Sequence, residues 1–532
     1  MTPTRYYDVV VLGRSIGCLV TAALLARRDF RVLILGQGAR PATYDYEQYP
    51  LRRRTFTLLC AASPVWLRML HDLAQGTTFR RRTNSLDPMF SVLSTERRLE
   101  IPPEAEFFNR EIEREFPEVR QLVDELYANF SEVNASLDAA FERGAVWPPG
   151  NFWERFETGR IARDLPLTSG QTALDLLAKF PAGHPYREVT TIPAGFATDL
   201  AVPGEQLPPL ALARLHGAWT RGVHALPGGE PELEAFLLER IRAHGGEIRL
   251  EQRAAALMIR RGRVVGVLED GEDEPVGTGS VVSDLSGEAI ADLAGGEGIT
   301  AKAQRDWPRL TVNAGRFVVS VVVPARALPA PLPVESFLLP QGSAGSQTQN
   351  PRRPVVHLQR GPQFTRGPLP GHHAAQDSEP FEVLAAEAIL PSRGSLTLLE
   401  AREAVLSTLL THLPFLEQQA VVIDSPHDGL PLWDLRGGRR FEVDRIHLPG
   451  GAAGPEPMEW LWSVDTPGFL ELGGEALRGP IPGTFLVGRT VLPALGQEGS
   501  LLAAWGATRA ITRKDRTRQK MRRQMWSKLE TS

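Results

Sequence analysis

A glycine-rich turn near the N-terminus contains residues that suit two different chemistries. The stretch GRSIG, made of Gly13, Arg14, Ser15, Ile16 and Gly17, matches Gly-x-Ser-x-Gly, in which Ser15 would be the nucleophile of a hydrolase. The same turn also matches an altered Gly-x-Gly-x-x-Gly, which would bind a dinucleotide. In that second pattern a serine takes the place of the second glycine and a cysteine that of the third. The elements on either side of the turn decide between the two.

The turn joins a predicted strand to a predicted helix. The apolar runs DVVVL and RVLIL are typical of buried strands, and an apolar helix pattern lies between them. Together they form a parallel βαβ unit of about 30 residues. A hydrolase nucleophile follows earlier strands that supply its oxyanion hole, whereas this turn follows the first strand of the chain. We therefore favour the dinucleotide loop over a Ser15 nucleophile.

Composition narrows the class of protein. The 532 residues suffice for two or three domains, and 42% hydrophobic with 23% charged residues is ordinary for a globular chain. A net charge of -4 provides no chain-wide basic field, so no nucleic-acid partner is predicted. With only two cysteines, we expect a reducing, cytoplasmic location. The sequence contains neither a signal-peptide pattern nor an apolar run long enough to span a bilayer, which predicts a soluble or peripheral protein.

Three stretches far apart in the chain share an α/β texture. The first is the N-terminal unit, and the second is PGGEPELEAFLLERIRAHGGEIRLEQRAAALMIRRGRVVGVLEDG. The third is IPGTFLVGRTVLPALGQEGSLLAAWGA. Between them, residues 60–200 look helical, and residues 329–373 are rich in Pro, Gly and Ser and predict an exposed irregular connection. The run LEAREAVLSTLLTHLPFL predicts one helix that ends at Pro414.

These three stretches, in this order, resemble the FAD-dependent phytoene desaturase and carotenoid isomerase family, a branch of the amine-oxidase-like flavoproteins. The resemblance covers nearly the whole chain. It implies a mixed α/β fold, in which a Rossmann-like FAD-binding domain discontinuous in sequence accompanies a β-rich substrate domain and a helical insertion. The implied FAD-binding parts are residues 1–75, 211–300 and 471–512. Residues 76–210 are the helical insertion and substrate region, 301–470 the β-rich domain, and 513–532 a basic tail.

The resemblance also implies a function and a set of cofactor-binding residues. The function would be an FAD-dependent oxidoreductase that desaturates or isomerises a hydrophobic polyene or isoprenoid in an apolar tunnel. No catalytic side chain is implied, because the flavin performs the redox step. The implied FAD-binding residues are Gly13, Ser15, Ile16, Gly17, Cys18, Gly36, Gln37, Ala254, Gly488, Arg489, Gly496, Glu498 and Gly499.

Several of these positions depart from the flavin pattern. Ser15 places a Cβ where a glycine would let the backbone approach the pyrophosphate, and Cys18 replaces the glycine that lets helix and strand pack closely. Gly36 and Gln37 stand where an acidic residue would bind the ribose. Arg489 replaces another acidic residue, and it either pairs with a phosphate or marks a corner that no longer holds flavin. The alternative hypothesis is therefore a non-catalytic relative that has lost FAD and acts as a binding or assembly subunit.

Three further features of the sequence are considered as possible sites. The run Arg52, Arg53, Arg54 could contact pyrophosphate, although a solvated basic run is the favoured interpretation. His372 and His373 lack a second ligand pair, so no metal site is predicted. Cys60, within FTLLCAA, is expected to be a small core residue.

The C-terminal tail is the most basic part of the chain. From Arg513 to Lys528 it carries eight Lys or Arg residues and one acidic residue, with Met521, Met525 and Trp526 interleaved. Such a tail could rest on an anionic membrane surface, dock on a partner protein, or be only a solvated helix.

Overall fold

The fold is described from a computed structural model. The structure describes residues 5–166, 172–341, 350–366, 379–394, 396–449, 454–466 and 468–529, with the backbone alone over 514–529. His372 and His373 lie outside the described residues. Among the described helices, none combines the length and the apolar character that crossing a membrane would require.

Most strands are short and belong to two large sheets. In chain order they are β1 (Tyr6–Leu12), β2 (Val32–Leu35), β3 (Thr43–Tyr46), β4 (Tyr49–Arg52), β5 (Asn84–Ser85), β6 (Phe90–Leu93), β7 (Arg98–Ile101), β8 (His224–Ala225), β9 (Glu247–Arg249), β10 (Ala254–Arg260), β11 (Arg263–Glu269), β12 (Val276–Ser283), β13 (Leu310–Pro324), β14 (Glu335–Leu338), β15 (Val356–Arg360), β16 (Phe381–Pro391), β17 (Val422–Asp424), β18 (Leu432–Asp434), β19 (Phe441–Val443), β20 (Glu459–Val464) and β21 (Thr484–Leu486).

The helices range in length from 4 to 34 residues. In chain order they are α1 (Ile16–Ala26), α2 (Pro64–Asp72), α3 (Gly76–Arg80), α4 (Ala105–Glu115), α5 (Arg120–Glu142), α6 (Phe152–Ala162), α7 (Ala173–Leu176), α8 (Tyr186–Ala197), α9 (Pro209–Thr220), α10 (Gly229–Ala243), α11 (Gly287–Leu293), α12 (Ala301–Asp306), α13 (Leu398–His412), α14 (Leu416–Gln419) and α15 (Gly496–Leu529).

The first sheet collects strands from three distant parts of the chain. Its order is β10-β11-β12-β1-β2-β9, and β21 pairs with β12. The pairs β12-β1, β1-β2, β2-β9 and β12-β21 are parallel. Helix α1 buries ten of its eleven residues between this sheet and the helices α10 and α15. An all-apolar helix of this kind is typical of the interior of a doubly wound α/β domain.

The second sheet is larger and mainly antiparallel. Its order is β19-β18-β17-β13-β16-β15-β14-β6-β7, and β20 also pairs with β13. Helix α13 packs on β13 and β16, and its apolar residues form a second hydrophobic core with those strands. Strand residues of this sheet, among them Arg316, His357 and Glu387, line the same cavity as the loops after β1 and β12 of the first sheet. This cavity contains the candidate site.

The mixed α/β fold is confirmed, but one local expectation was wrong. Residues 329–373 are not simply an exposed connection, because β14 is entirely buried there and β15 is largely buried. Residues 76–210, predicted as a helical insertion and substrate region, contain the helices α3 to α8, and also β6 and β7 at one edge of the second sheet. The basic tail continues the helix before it, since α15 runs without a break to Leu529. The remaining domain bounds stay a prediction.

Candidate functional site

A cavity of about 340 Å³ lies where the loops after β1 and β12 meet the second sheet. The carboxyl ends of neighbouring parallel strands are the usual place for a ligand in open α/β sheets. Ser15 and Ile16, at the start of α1, line one side, while Gln497 and Ser500, at the start of α15, line another. Its volume falls at the lower end of the range known for ligand sites, about 300–1,000 Å³.

The glycine turn is held by a buried carboxylate from the next strand. Asp284 accepts hydrogen bonds from the backbone amides of Arg14 at 3.1 Å and Ser15 at 2.9 Å. Gly13 has a φ of +120°, and a Cβ there would lie 1.9 Å from the Asp284 carboxylate. Burial raises the pKa of Asp284, although the two amides partly oppose this. The tight turn at Gly13 thus makes room for an internal anion beside the α1 N-terminus.

Ser15, Gly17 and Cys18 fix the start of α1. Ser15 is the N-cap, and its hydroxyl oxygen accepts a hydrogen bond from the Cys18 amide at 3.4 Å. Gly17 packs closely on another loop, because a Cβ there would lie 2.1 Å from the carbonyl oxygen of Val487. Cys18 is fully buried and its thiol contacts the Leu12 carbonyl oxygen at 3.6 Å, so the cysteine fits in its place without a glycine. Ser15 therefore acts as a helix cap that faces the cavity, which is not the role of a nucleophile.

The adenosine end of the predicted site is occupied by the chain itself. A Cβ at Gly36 would lie 1.9 Å from the carbonyl oxygen of Leu250, which leaves no space for an acidic side chain there. Gln37 has a φ of +53°, and its side-chain oxygen accepts a hydrogen bond from the Ala254 amide at 2.6 Å. Gly36, Gln37 and Ala254 do not line the cavity. The cavity therefore stops short of the residues predicted to hold adenosine.

Arg489 is paired with a carboxylate of the chain. Its guanidinium lies 2.6 Å from Asp199 and 3.6 Å from Glu459. Burial raises the pKa of Asp199, while Arg489 acts in the opposite direction. Gly488, just before it, packs so closely on Asp284 that a Cβ would lie 2.6 Å from the Asp284 carbonyl oxygen. Arg489 does line the cavity, with its charge already balanced.

The start of α15 requires two glycines and a buried ion pair. A Cβ at Gly496, whose φ is +52°, would lie 2.0 Å from the Ala197 carbonyl oxygen. A Cβ at Gly499 would lie 2.3 Å from the Leu492 carbonyl oxygen. Glu498 points away from the cavity and forms a bidentate pair with Arg214, at 2.5 and 2.6 Å. These contacts place the first turn of α15 beside the cavity.

Charged and aromatic side chains share the cavity wall. Five arginines and six carboxylates line it, and they are mostly paired with each other. Arg54 donates two hydrogen bonds to Glu230, at 2.6 and 2.7 Å, and Arg316 donates one to Glu387 at 2.7 Å. The aromatic part of the wall consists of Phe56, Phe196 and Trp219.

A histidine and glutamate pair borders the aromatic part, and sequence reasoning missed it. His357, on β15, shares a hydrogen bond of 2.7 Å with Glu335 of β14. Glu335 also accepts hydrogen bonds from the Thr57 hydroxyl at 2.8 Å and the Gln359 amide at 2.9 Å. His357 lies between Phe337, Phe196 and Trp219. The alternation of apolar and polar residues in VVHLQR, residues 355–360, is typical of a strand and could have indicated β15.

The expectation for the arginine run was wrong, and that for Cys60 is confirmed. Arg53 is buried against Glu456 and Arg54 lines the cavity, so the run is not solvated. Cys60 is buried in the core, and both cysteines are free thiols. Within the described ranges, no cluster of His, Cys, Asp or Glu could hold a metal ion.

FAD fits the phosphate and ring parts of this site better than the adenosine part. The Ile16 and Gly17 amides, in the first turn of α1, have no acceptor within the helix, and Ile16 lines the cavity, so an anionic group could bind there. The aromatic wall offers an apolar surface of the kind that a ring system requires. At the adenosine end, Gln37 must first release the Ala254 amide, at a cost of about 1 kcal/mol for one hydrogen bond. We conclude that the residues fit FAD once Gln37 releases the Ala254 amide, with the phosphate held by the first turn of α1 rather than by the Arg14 and Ser15 amides, which Asp284 already binds.

Comparison with known proteins shows a shared fold. No family model and no curated protein matches the sequence. An oxidoreductase from Methanosarcina mazei is similar, with a TM-score of 0.52 and 16% identity over 94% of this chain and 99% of that one. A putrescine oxidase redesigned in its cofactor binding gives a TM-score of 0.56 at 14% identity, over 96% of this chain and all of that one. Cyclohexylamine oxidase from Brevibacterium oxydans gives 0.53 at 14% identity, over 96% and 99%. The chain therefore has the fold of these oxidoreductases.

Proposed function

We propose that the protein is an FAD-dependent oxidoreductase of the amine-oxidase-like type. The observation that carries this proposal is the cavity itself, which joins the start of α1 to the start of α15 and ends at an aromatic wall. Its fold is shared with oxidoreductases, two of which are named as amine oxidases. A bound flavin would supply the hydride chemistry, so the protein needs only to bind, orient and exclude water.

The chain's own residues suit those three tasks. The amides at the start of α1 would hold the pyrophosphate, and Arg54, held in place by Glu230, presents its guanidinium on the same cavity. Gln497 fixes the loop before α2, since its side chain bonds to the Leu59 amide and the Thr57 carbonyl oxygen. The aromatic wall of Trp219 and Phe196 keeps water from the ring end.

The lining favours a substrate that carries a charge. A polyene would require an apolar tunnel, whereas this cavity is surrounded by five arginines and six carboxylates. A slight excess of carboxylates suits a cation, and two structural relatives are named as oxidases of amines. We therefore place amines ahead of polyenes and isoprenoids as the substrates to be tested.

A visible spectrum of the purified protein, before and after incubation with FAD, tests the proposal. We expect a flavin band and uptake of FAD, and we expect bleaching of the band by an amine in the absence of oxygen. Ser15→Glu places a negative charge at the phosphate loop and should weaken FAD binding at least about tenfold by charge repulsion. Ser85→Glu, at an exposed position on β5, is the matched control and should change nothing. If Ser15→Glu bound FAD as tightly as the control, the phosphate would not lie at α1.

A second candidate function is a flavin-free binding or assembly subunit. Its support is that the turn amides and the Ala254 amide are satisfied by Asp284 and Gln37 without any ligand. A colourless protein that takes up neither FAD nor an amine would favour this candidate and contradict the first.

A further inference from the structure

Helix α6 presents aromatic rings to solvent. Phe152, Trp153 and Phe156 are 74%, 76% and 62% exposed. Phe152 and Trp153 touch edge to face, with ring centroids 5.7 Å apart. An aromatic side chain buries about 150–250 Å² when it is covered, so the three rings present on the order of 400 Å² of apolar surface. Patches of this size mark interaction sites on soluble proteins.

Arginines flank these rings, and the two acidic residues of the helix are held in ion pairs. Arg155, Arg160 and Arg163 are exposed on or next to α6, as is Asp164, which lies 3.4 Å from Arg143. Glu154 is buried and paired with Arg478 at 2.6 Å, and the partly exposed Glu157 pairs with Arg509 at 3.1 Å. The exposed side of α6 therefore combines aromatic rings with an excess of positive charge.

The α6 helix is firmly placed, so this face is a fixed feature of the fold. Asn151 and Glu154 form a capping box at its start. On the inner side, Ile161 is buried and the Thr158 hydroxyl donates a hydrogen bond to the Val146 carbonyl oxygen at 3.1 Å. The exposed rings therefore do not result from a loose helix.

The most basic part of the chain leaves the fold at the same place. Glu157 of α6 contacts Arg509 and Arg513 of α15, at 3.1 and 4.0 Å. From Arg513 onward α15 continues to Leu529, and the sequence there has eight Lys or Arg residues against one acidic residue. Positive charge therefore accumulates along the chain just beyond the contact between α6 and α15.

We propose that α6 docks the protein on an anionic lipid bilayer. Tryptophan and phenylalanine partition into the boundary between headgroups and acyl chains, and arginines pair with anionic headgroups. The aromatic face would enter that boundary while Arg155, Arg160, Arg163 and the start of the tail contact the headgroups. The chain would thus bind the bilayer from one side.

Sedimentation of the full-length protein with vesicles tests this. We expect binding to vesicles of mixed phosphatidylglycerol and phosphatidylcholine, little binding to phosphatidylcholine alone, and release at high salt. We expect the triple variant Phe152→Ser, Trp153→Ser, Phe156→Ser to partition into vesicles about tenfold less for each ring removed. Because the rings are exposed, removing them takes away contacts with the bilayer and few contacts within the protein. Changing Arg155, Arg160 and Arg163 to Gln should lower the partitioning about fivefold for each arginine removed. Phe107→Ser, at a ring that is 51% exposed on α4, is the control and should bind like the unchanged protein.

Each other outcome overturns the proposal. If the unchanged protein does not bind the vesicles, or the triple serine variant binds as well as the control, α6 is not a lipid-docking surface. A concentration-dependent dimer in analytical ultracentrifugation that the triple serine variant abolishes, without vesicle binding, would assign the face to a second copy of the chain.

Discussion

The buried pair between Arg214 and Glu498 offers a sharp test of how the site is held. Arg214 of α9 is bound to Glu498 in the first turn of α15, the turn that borders the cavity. Their side chains are only 3% and 9% exposed. We predict that Arg214→Met destabilises the protein by about 3–5 kcal/mol at about pH 8, because it leaves a charged carboxylate buried without its partner.

The loss should depend on pH in a definite direction. Burial alone would raise the pKa of Glu498, but Arg214 outweighs it and holds the pKa below its ordinary value. In the unchanged protein this depressed pKa stabilises the folded state at every pH above the pKa of an unfolded glutamate, about 4.3. The stabilisation is lost only as the pH falls through the pKa that Glu498 has in the folded protein. In Arg214→Met burial is no longer opposed, so the pKa of Glu498 rises and the folded variant takes up a proton as the pH falls. The difference between the two proteins should therefore shrink between about pH 8 and about pH 5.5.

Urea unfolding midpoints at the two pH values measure both effects. The matched control is Arg110→Met, which removes an exposed arginine paired with Glu106 on α4, where both side chains are more than half exposed. That pair should contribute less than about 0.5 kcal/mol. Two results would contradict this account of how the start of α15 is held. One is that Arg214→Met lowers the free energy of unfolding no more than Arg110→Met does at about pH 8. The other is that the destabilisation by Arg214→Met grows as the pH falls.

Three further predictions concern single residues of the first α/β part of the chain. Gly17→Ala should lower the free energy of unfolding by about 1–3 kcal/mol, because its Cβ meets a backbone carbonyl oxygen. Gly159→Ala, on the open side of α6, should instead raise the free energy of unfolding by about 0.5–1 kcal/mol. An equal response of the two glycines would contradict the tight packing at Val487. Cys18 and Cys60 should resist a thiol reagent until the protein unfolds, because burial raises the pKa of both thiols; rapid labelling of the folded protein would show that one is accessible. Gln37→Leu frees the Ala254 amide and should tighten FAD binding several-fold in a fluorescence titration, and an unchanged or weaker affinity would show that the amide is not used.

The local elements of the fold could be predicted from the sequence. Helix α10 ends before Gly245 and leads into β9, and α13 ends before Pro414, as their terminal residues indicate. The glycine turn after β1 was also found, because strand, turn and helix follow directly in the chain. At these helix ends and at this turn, the residues that determine the structure lie within a few positions of each other in the sequence.

The chemistry of the cavity could not be predicted in the same way. Arg489 meets Asp199, which is 290 positions away, and neither residue has a local pattern that indicates the other. The strands β14 and β15, which bring Glu335 and His357 together, lie in a stretch whose proline and glycine content predicts a loop. Ser15 was expected to hinder a close approach, while the close approach occurs at Gly17. Such pairings depend on tertiary packing, which the order of residues alone does not reveal.

The position of β21 has a consequence for how the chain folds. The carboxyl half of β12 pairs with β1 on one side and with β21, at residues 484–486, on the other. During synthesis this side of β12 has no partner until residues 484–486 have been made, although β1 and β12 are available long before. Contacts across such a separation form slowly, and an open strand edge can pair with other chains in the meantime. The sheet that carries the glycine turn is therefore open to misassembly while the protein is being made.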